Sequence, residues 1–274
     1  MARVVCTSYL FPDQVDRLKD AGHEVWLHQG NGRIPRERLI AELADAEALI
    51  CLLTDRIDRE LLGAAPSLRV VANVAVGYEN VDIDTASELG IVVTNTPDVL
   101  TEATADLTFA LLLTAARRGR LGFGMRILYH SRSRVEAAER DLDAEFVPFD
   151  RLLTESDFVS VHVPLTDETR HLFDRDAFAR MKPTAILVNV ARGPVVDEDA
   201  LVRALEEGEI AGAGIDVFEH EPDVHPGLIR LRDRVVLTPH LGSATCETRR
   251  AMAQLAVDNV LAVLTGERPL TPVN

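Results

Sequence analysis

Residues 185–218 read AILVNVARGPVVDEDALVRALEEGEIAGAGIDVF, and this stretch decides the fold. It opens on an apolar run, AILVNVA, crosses a segment of helical character and closes on a second apolar run, GAGIDVF. Strands this uniformly apolar belong to a parallel sheet covered on both faces, and such strands are joined by right-handed crossovers. The rhythm extends outward. RVVLTPH follows, and MRILYH and FVSVHVP precede, so this part of the chain carries five strand candidates. The first hundred residues repeat it with ARVVCTSY, HEVWLHQ, EALICLLT, LRVVANVAV and GIVVTNT. Between these lie PDQVDRLKDAG, a helix stopping at Gly22, and IPRERLIAELADA, with Pro35 near the first turn, where a missing N–H costs nothing. DRELLGAA and VDIDTASELG separate the remaining runs, and Trp26 is expected in the core. TEATADLTFALLLTAARR is a long, mostly apolar helix. The last helix, ETRRAMAQLAVDNVLAVLTG, aligns Met252, Leu255, Ala256, Val260, Val263 and Leu264 on one face and ends at Gly266. The expected fold is α/β with two doubly wound parallel-sheet domains.

A length of 274 residues suits one large or two ordinary domains, and 47% hydrophobic residues with near-zero mean hydropathy supply a sizeable core. The balance of 29 basic against 44 acidic residues argues against nucleic acid or an anionic membrane as the main partner. An anionic substrate would therefore depend on individual arginines. Cys6, Cys51 and Cys246 are widely spaced with no CxxC pair, the pattern of reduced, buried small residues rather than of a metal site. No signal-peptide pattern opens the chain and no apolar run reaches membrane-spanning length, so the expected location is cytoplasmic.

In open parallel sheets, ligands bind at the carboxyl ends of the strands. AILVNVA is followed at once by Arg192, GAGIDVF by Glu219 and Glu221, and RVVLTP by His240. An arginine fork, a carboxylate and an imidazole on successive strand ends can converge on one small molecule. The plain alternatives are a solvated arginine, two acids among 44, and one histidine of eight.

Several of these stretches are long enough to carry a family likeness. NVAVGYENVDIDTASELGIVVTNTPDVLTEATADLTFALLL, LLTESDFVSVHVPLTDETRHLF, MKPTAILVNVARGPVVDEDALVRAL, GAGIDVFEHEP and VVLTPHLGSATCETRRAMA resemble the D-isomer-specific 2-hydroxyacid dehydrogenases, with the look of glyoxylate/hydroxypyruvate reductases. The resemblance runs through nearly the whole chain. It implies a flavodoxin-like substrate domain over 1–100 plus 264–274 and a Rossmann-like dinucleotide-binding domain over 101–263. It implies hydride transfer between NAD(P)(H) and a small 2-keto or 2-hydroxy acid. Under it, Arg192 binds the substrate carboxylate and keto oxygen, His240 protonates that oxygen, and Glu221, chosen over Glu219 on the resemblance, orients His240 and favours its protonated form. The N–H groups of Val76 and Gly77, near Leu52, would hold the carboxylate from the other domain. The implied cofactor contacts are Thr104, Val163, Pro164, Thr169, Val190, Ala191, Asp216 and Gly242. Asp216 is expected to accept from the cofactor carboxamide, or alternatively to form a local turn.

Residues 115–134, AARRGRLGFGMRILYHSRSR, raise the remaining questions. An NAD enzyme usually presents an acid after this strand. Here Ser131, Arg132 and Ser133 stand instead, a charge and two hydroxyls suited to a 2′-phosphate, so NADP(H) is favoured over NAD(H); the alternative is a solvated basic turn. No G-x-G-x-x-G occurs in the sequence, and GRLGFG precedes its strand, where it reads as a turn into it. The resemblance implies a further strand, that glycine turn and a helix between the apolar helix and MRILYH, a unit of roughly 30 residues. Without it MRILYH and AILVNVA are expected to lose a shared neighbour, and must pair directly, admit another strand, or leave open edges. That segment also carries part of the family's dimer contact, so a homodimer is expected only of a form that contains it. Two functions follow: a working dehydrogenase, or a non-catalytic remnant serving as a carboxylate-binding or interaction module.

Overall fold

The computed structural model describes residues 1–7, 9–30, 32–115 and 125–274. The chain divides into two compact units, Met1–Thr101 with Ala244–Asn274, and Glu102–Ser243.

In the first unit β1 (Arg3–Cys6), α1 (Pro12–Asp20), β2 (Glu24–Leu27), α2 (Arg36–Leu43), β3 (Ala48–Cys51), α3 (Arg59–Gly63), β4 (Val70–Asn73), α4 (Ile83–Glu88) and β5 (Val92–Thr94) alternate strictly. The strands are parallel in the order β2-β1-β3-β4-β5, the flavodoxin-like arrangement. Successive side chains leave a strand on opposite faces, and the core divides accordingly. Val5, Leu49, Cys51 and Val71 join one cluster with Leu39, Leu43, Leu61 and Leu62; Val4, Cys6, Ala48, Ile50, Val70 and Ala72 join another on the opposite face. Trp26 is only partly buried, packed at the rim of the first cluster with the Arg38 guanidinium 5.6 Å above its ring.

The second unit holds α5 (Thr101–Ala115), β6 (Leu128–Tyr129), α6 (Glu136–Leu142), β7 (Glu145–Phe146), α7 (Phe149–Glu155), β8 (Phe158–Val161), α8 (Arg175–Arg180), β9 (Ile186–Asn189), α9 (Glu198–Glu207), β10 (Gly212–Ile215), α10 (Pro226–Arg230) and β11 (Val235–Leu237). A parallel four-stranded sheet runs β11-β10-β9-β8, and β6 and β7 form a separate parallel pair. Leu187, Ala213 and Ile215 pack with Phe178 of α8 and Leu201 and Leu205 of α9; on the other face Ile186 and Val188 pack with Leu111 and Leu112 of α5. Gly214 permits that second contact, because a Cβ there would meet the Leu111 Cβ at 3.1 Å. Among the described residues no helix is long and apolar enough to cross a membrane.

Several expectations need correction. The AILVNVA strand keeps both neighbours: β9 lies between β8 and β10, and among the described residues β8, the FVSVHVP strand, ends the sheet. Among the described residues β6 is in a different sheet from β8 and β9, so MRILYH does not pair directly with AILVNVA. β7 escaped the pattern because only two residues take part, held by Glu145 N–H to Ile127 O at 2.8 Å and Val147 N–H to Tyr129 O at 2.9 Å. GRLGFG lies outside the described residues. The helix α11 (Cys246–Thr265) belongs with the first unit, packing on β3 and β4 through Ala253, Ala256, Val257, Val260 and Val263, so the boundary falls near 244 rather than 264. It ends at Gly266, whose φ of 83° suits glycine. Cys6 and Cys51 are buried, but Cys246 is exposed at the start of α11.

Candidate active site

The site in the second unit is organised by one buried carboxylate. Asp216, 0% exposed, follows β10 directly. Its Oδ1 accepts from Thr238 Oγ1 at 2.5 Å and from the Leu241 N–H at 2.8 Å, and its Oδ2 accepts from the Gly242 N–H at 2.9 Å. The turn after β11 is thereby tied to the end of β10. His240 sits at its apex with a φ of 55°, a conformation uncommon for a residue with a side chain, and its N–H donates to Asp216 O at 2.8 Å. The structure thus engages Asp216 as the turn former; its role toward a carboxamide remains a proposal.

His240 faces Glu221. Nδ1 lies 2.9 Å from Glu221 Oε2, with both side chains about one-quarter exposed at 27% and 26%. The second carboxylate oxygen, Oε1, accepts from the Phe218 N–H at 3.0 Å. Burial raises the Glu221 carboxyl, but the hydrogen bond and charge of His240, the Phe218 N–H and the charge of Arg192 outweigh it and hold the group below the usual carboxylate range. Glu219, the other acid considered, turns elsewhere: Oε1 lies 2.7 Å from His171 Nε2 and Oε2 accepts from the Glu198 N–H at 3.2 Å.

Arg192 leaves the end of β9 half-buried, one guanidinium N–H donating to Ala191 O at 2.8 Å. Asn189, at 1% exposure, holds this bend: its Nδ2 donates to Arg192 O at 3.0 Å and its Oδ1 accepts from the Ala191 N–H at 3.1 Å. Sequence inspection passed over Asn189, although a lone amide ending an apolar strand was a usable signal.

The proposed cofactor residues lie at or near the carboxyl ends of the same strands. Val163 and Pro164 follow β8, with the Thr169 hydroxyl donating to Pro164 O at 2.6 Å; Val190 and Ala191 follow β9. Thr104 of α5 donates to Gly242 O at 3.1 Å. After β6, the Ser131 hydroxyl donates to Ser133 O, and the two nearby arginines differ. Arg134 grips Glu139 through Nε at 2.9 Å and Nη2 at 2.6 Å. That pair, with the Tyr129 hydroxyl, pushes the Glu139 carboxyl down to about 2, so Arg134 stays committed to it at neutral pH. Arg132 is exposed and forms no ion pair among the described residues, though its charge contributes to the lowering of Glu168. Arg132 is therefore the less committed of these two arginines among the described residues.

In the first unit the Leu52 N–H is already given to Asp55 Oδ2 at 2.9 Å. Val76 and Gly77 lie on a turn fixed by asparagine side chains: Asn95 Nδ2 donates to Val76 O at 2.8 Å and Asn73 Nδ2 to Gly77 O at 2.9 Å. Neither Val76 nor Gly77 donates its own N–H among the described residues. Among those residues no group of three His, Cys, Asp or Glu side chains could hold a metal ion.

The sequence profile of the D-isomer specific 2-hydroxyacid dehydrogenase, NAD binding domain, matches residues 113–242. A glyoxylate reductase of Thermococcus onnurineus is 47% identical over 300 positions, covering 92% of this chain and 89% of that protein. Because 300 aligned positions exceed the 274 residues here, that relative carries internal residues that this chain lacks. A crystal structure of a Thermus thermophilus protein superposes with a TM-score of 0.89 at 38% identity, covering 99% of this chain and 100% of that one. An NADPH-dependent glyoxylate/hydroxypyruvate reductase from Sinorhizobium meliloti, solved with NADP and malonate, superposes with a TM-score of 0.85 at 33% identity, covering 99% and 96%.

Proposed function

The chain belongs to the D-isomer specific 2-hydroxyacid dehydrogenases, an oxidoreductase family, and on that premise we propose that it interconverts a small 2-keto acid, such as glyoxylate or hydroxypyruvate, with its 2-hydroxy acid using NADP(H). The observation that carries the reading is the 2.9 Å contact between His240 Nδ1 and Glu221 Oε2, with the charge of Arg192 felt at the same carboxylate. A bound reduced nicotinamide supplies the hydride. The chain supplies the proton and the anion site. With Nδ1 engaged by Glu221, Nε2 of His240 is the nitrogen left to protonate the keto oxygen. Arg192 is proposed to bind the substrate carboxylate, and the Val76 and Gly77 N–H groups, which donate to nothing among the described residues, are proposed donors to a carboxylate. Ser131, Arg132 and Ser133 suit a ribose 2′-phosphate, and Thr104, Thr169 and Gly242 are proposed further contacts to the cofactor. The chemistry at the two ends fits the dinucleotide; the centre does not, since the sequence contains no G-x-G-x-x-G for the pyrophosphate.

The test is consumption of NADPH in the presence of glyoxylate and hydroxypyruvate at high cofactor concentration. Arg192→Ala should raise KM and lower kcat together, because the cation meets both ground state and transition state. Kinetics left unchanged by that substitution reject the role given to Arg192. Arg132→Asp should move preference from NADPH toward NADH by replacing attraction for the 2′-phosphate with repulsion. Equal use of both cofactors before and after the change would make Arg132 a surface residue only. A second reading, a carboxylate-binding module without turnover, is favoured by the break between β6 and β8. Saturable binding of glyoxylate with no NADPH consumed would select it.

A further inference from the structure

The segments carrying Arg192 and Glu221 are joined by contacts that the reaction as described does not use. The Glu219 N–H donates to Glu198 Oε1 at 3.0 Å, and the Glu198 N–H donates to Glu219 Oε2 at 3.2 Å, so each carboxylate caps the other residue's peptide. Beside this reciprocal pair, Gly193 lies flat on Phe218: a Cβ at Gly193 would sit 2.0 Å from both the carbonyl carbon and oxygen of Phe218. The Phe218 N–H in turn holds Glu221 Oε1 at 3.0 Å, and Glu221 Oε2 meets His240. Resting on the function proposed above, we propose that Glu198 and Glu219 are positioning residues: their reciprocal caps clip the Arg192 segment to the Phe218 peptide and thereby set where Glu221 meets His240.

Two facing carboxylates are an expensive way to fill a buried gap. Glu198 is 4% exposed. Its burial, with the charge of Glu219 added, raises its carboxyl above the ordinary range against the opposing effects of the Glu219 N–H, His225 and His220. His171 faces Glu219, and His225 is itself held by Asp199 at 3.1 Å. Apolar side chains would fill the volume at lower cost, but they could not accept from two peptide N–H groups at once. The reciprocal geometry fixes the register of one strand-end segment against the other, and that register is what an acid–base pair needs.

The test uses the cofactor-free protein and follows the ring N–H signals of His240 by NMR at one fixed pH, where the contact with Glu221 gives a downfield Nδ1 proton resonance slow to exchange with water. Glu219→Ala and Glu198→Ala should release the Phe218 peptide, let Glu221 move off His240 and abolish that resonance. Glu219→Gln, which keeps an acceptor for the Glu198 N–H, should retain it. Should the alanine variants fail to fold, Glu219→Asp shortens the side chain by one methylene while keeping the charge, and should move the resonance upfield. A resonance unchanged in any folded alanine or aspartate variant would overturn the proposal, leaving the clip as scaffolding alone. Because the measurement needs no turnover, a protein that reduces no 2-keto acid but shows the loss rejects the reaction and retains the clip.

Discussion

His240→Ala is expected to lower the turnover of glyoxylate reduction by ~10²–10⁴-fold at saturating NADPH, the usual contribution of a positioned general acid. A hydride added to the keto carbon leaves an alkoxide unless a proton arrives with it. His240 is the group proposed above to provide that proton; its Nδ1 meets Glu221 at 2.9 Å and its N–H donates to Asp216 O. Substrate affinity should change far less, because the substitution leaves in place the carboxylate contact proposed for Arg192. The measurement is steady-state kinetics of both proteins with purity controlled. Equal turnover would remove His240 from the chemistry. No turnover in the parent, combined with saturable carboxylate binding, would select the module without catalysis.

NADPH itself should bind this chain weakly, with a dissociation constant far above the micromolar range. A pyrophosphate usually meets a helix N-terminus and closely approaching glycine backbone, and the sequence holds no G-x-G-x-x-G. Each charge-assisted hydrogen bond lost costs ~1.5–3 kcal/mol. Since 1.4 kcal/mol is about tenfold in affinity, losing two weakens binding by about 10²–10⁴-fold. Ser131, Arg132 and Pro164, the residues proposed for the adenosine end, would not replace the centre. Nicotinamide fluorescence during titration of the 274-residue protein reads this directly. Saturable micromolar binding would mean that another element cradles the pyrophosphate.

Much of this was legible in the sequence because buried parallel strands advertise themselves. AILVNVA and GAGIDVF predicted β9 and β10, and the strand-end positions of Arg192, Glu221 and His240 followed from topology alone. What the sequence did not reveal lay in contacts without periodicity. β7 has two residues and no pattern to find. The place of α11 depends on which sheet receives Ala253 and Val257, and both sheets present apolar faces. Glu198 carries no sequence signal of its own in VVDEDALVRAL, and its pairing with Glu219 across 21 residues is visible only in three dimensions. Asp216 was considered in two roles, and only the structure shows its oxygens engaged by Thr238, Leu241 and Gly242.

The position of α11 sets an order for events on the ribosome. Glu102–Ser243 is contiguous, whereas the unit around β1–β5 needs a helix encoded after all of it. Until α11 emerges, Ile50, Val70 and Ala72 lack the covering supplied by Ala253, Ala256, Val257 and Val260. The nascent chain would therefore carry one face of its first sheet, covered only in part by Leu10 and Leu18, through the synthesis of the whole intervening unit, a period in which exposed apolar surface invites chaperones or self-association. The segment made first is the last to be finished, and production of this protein should respond to translation speed and chaperone supply more than the stability of its finished fold would suggest.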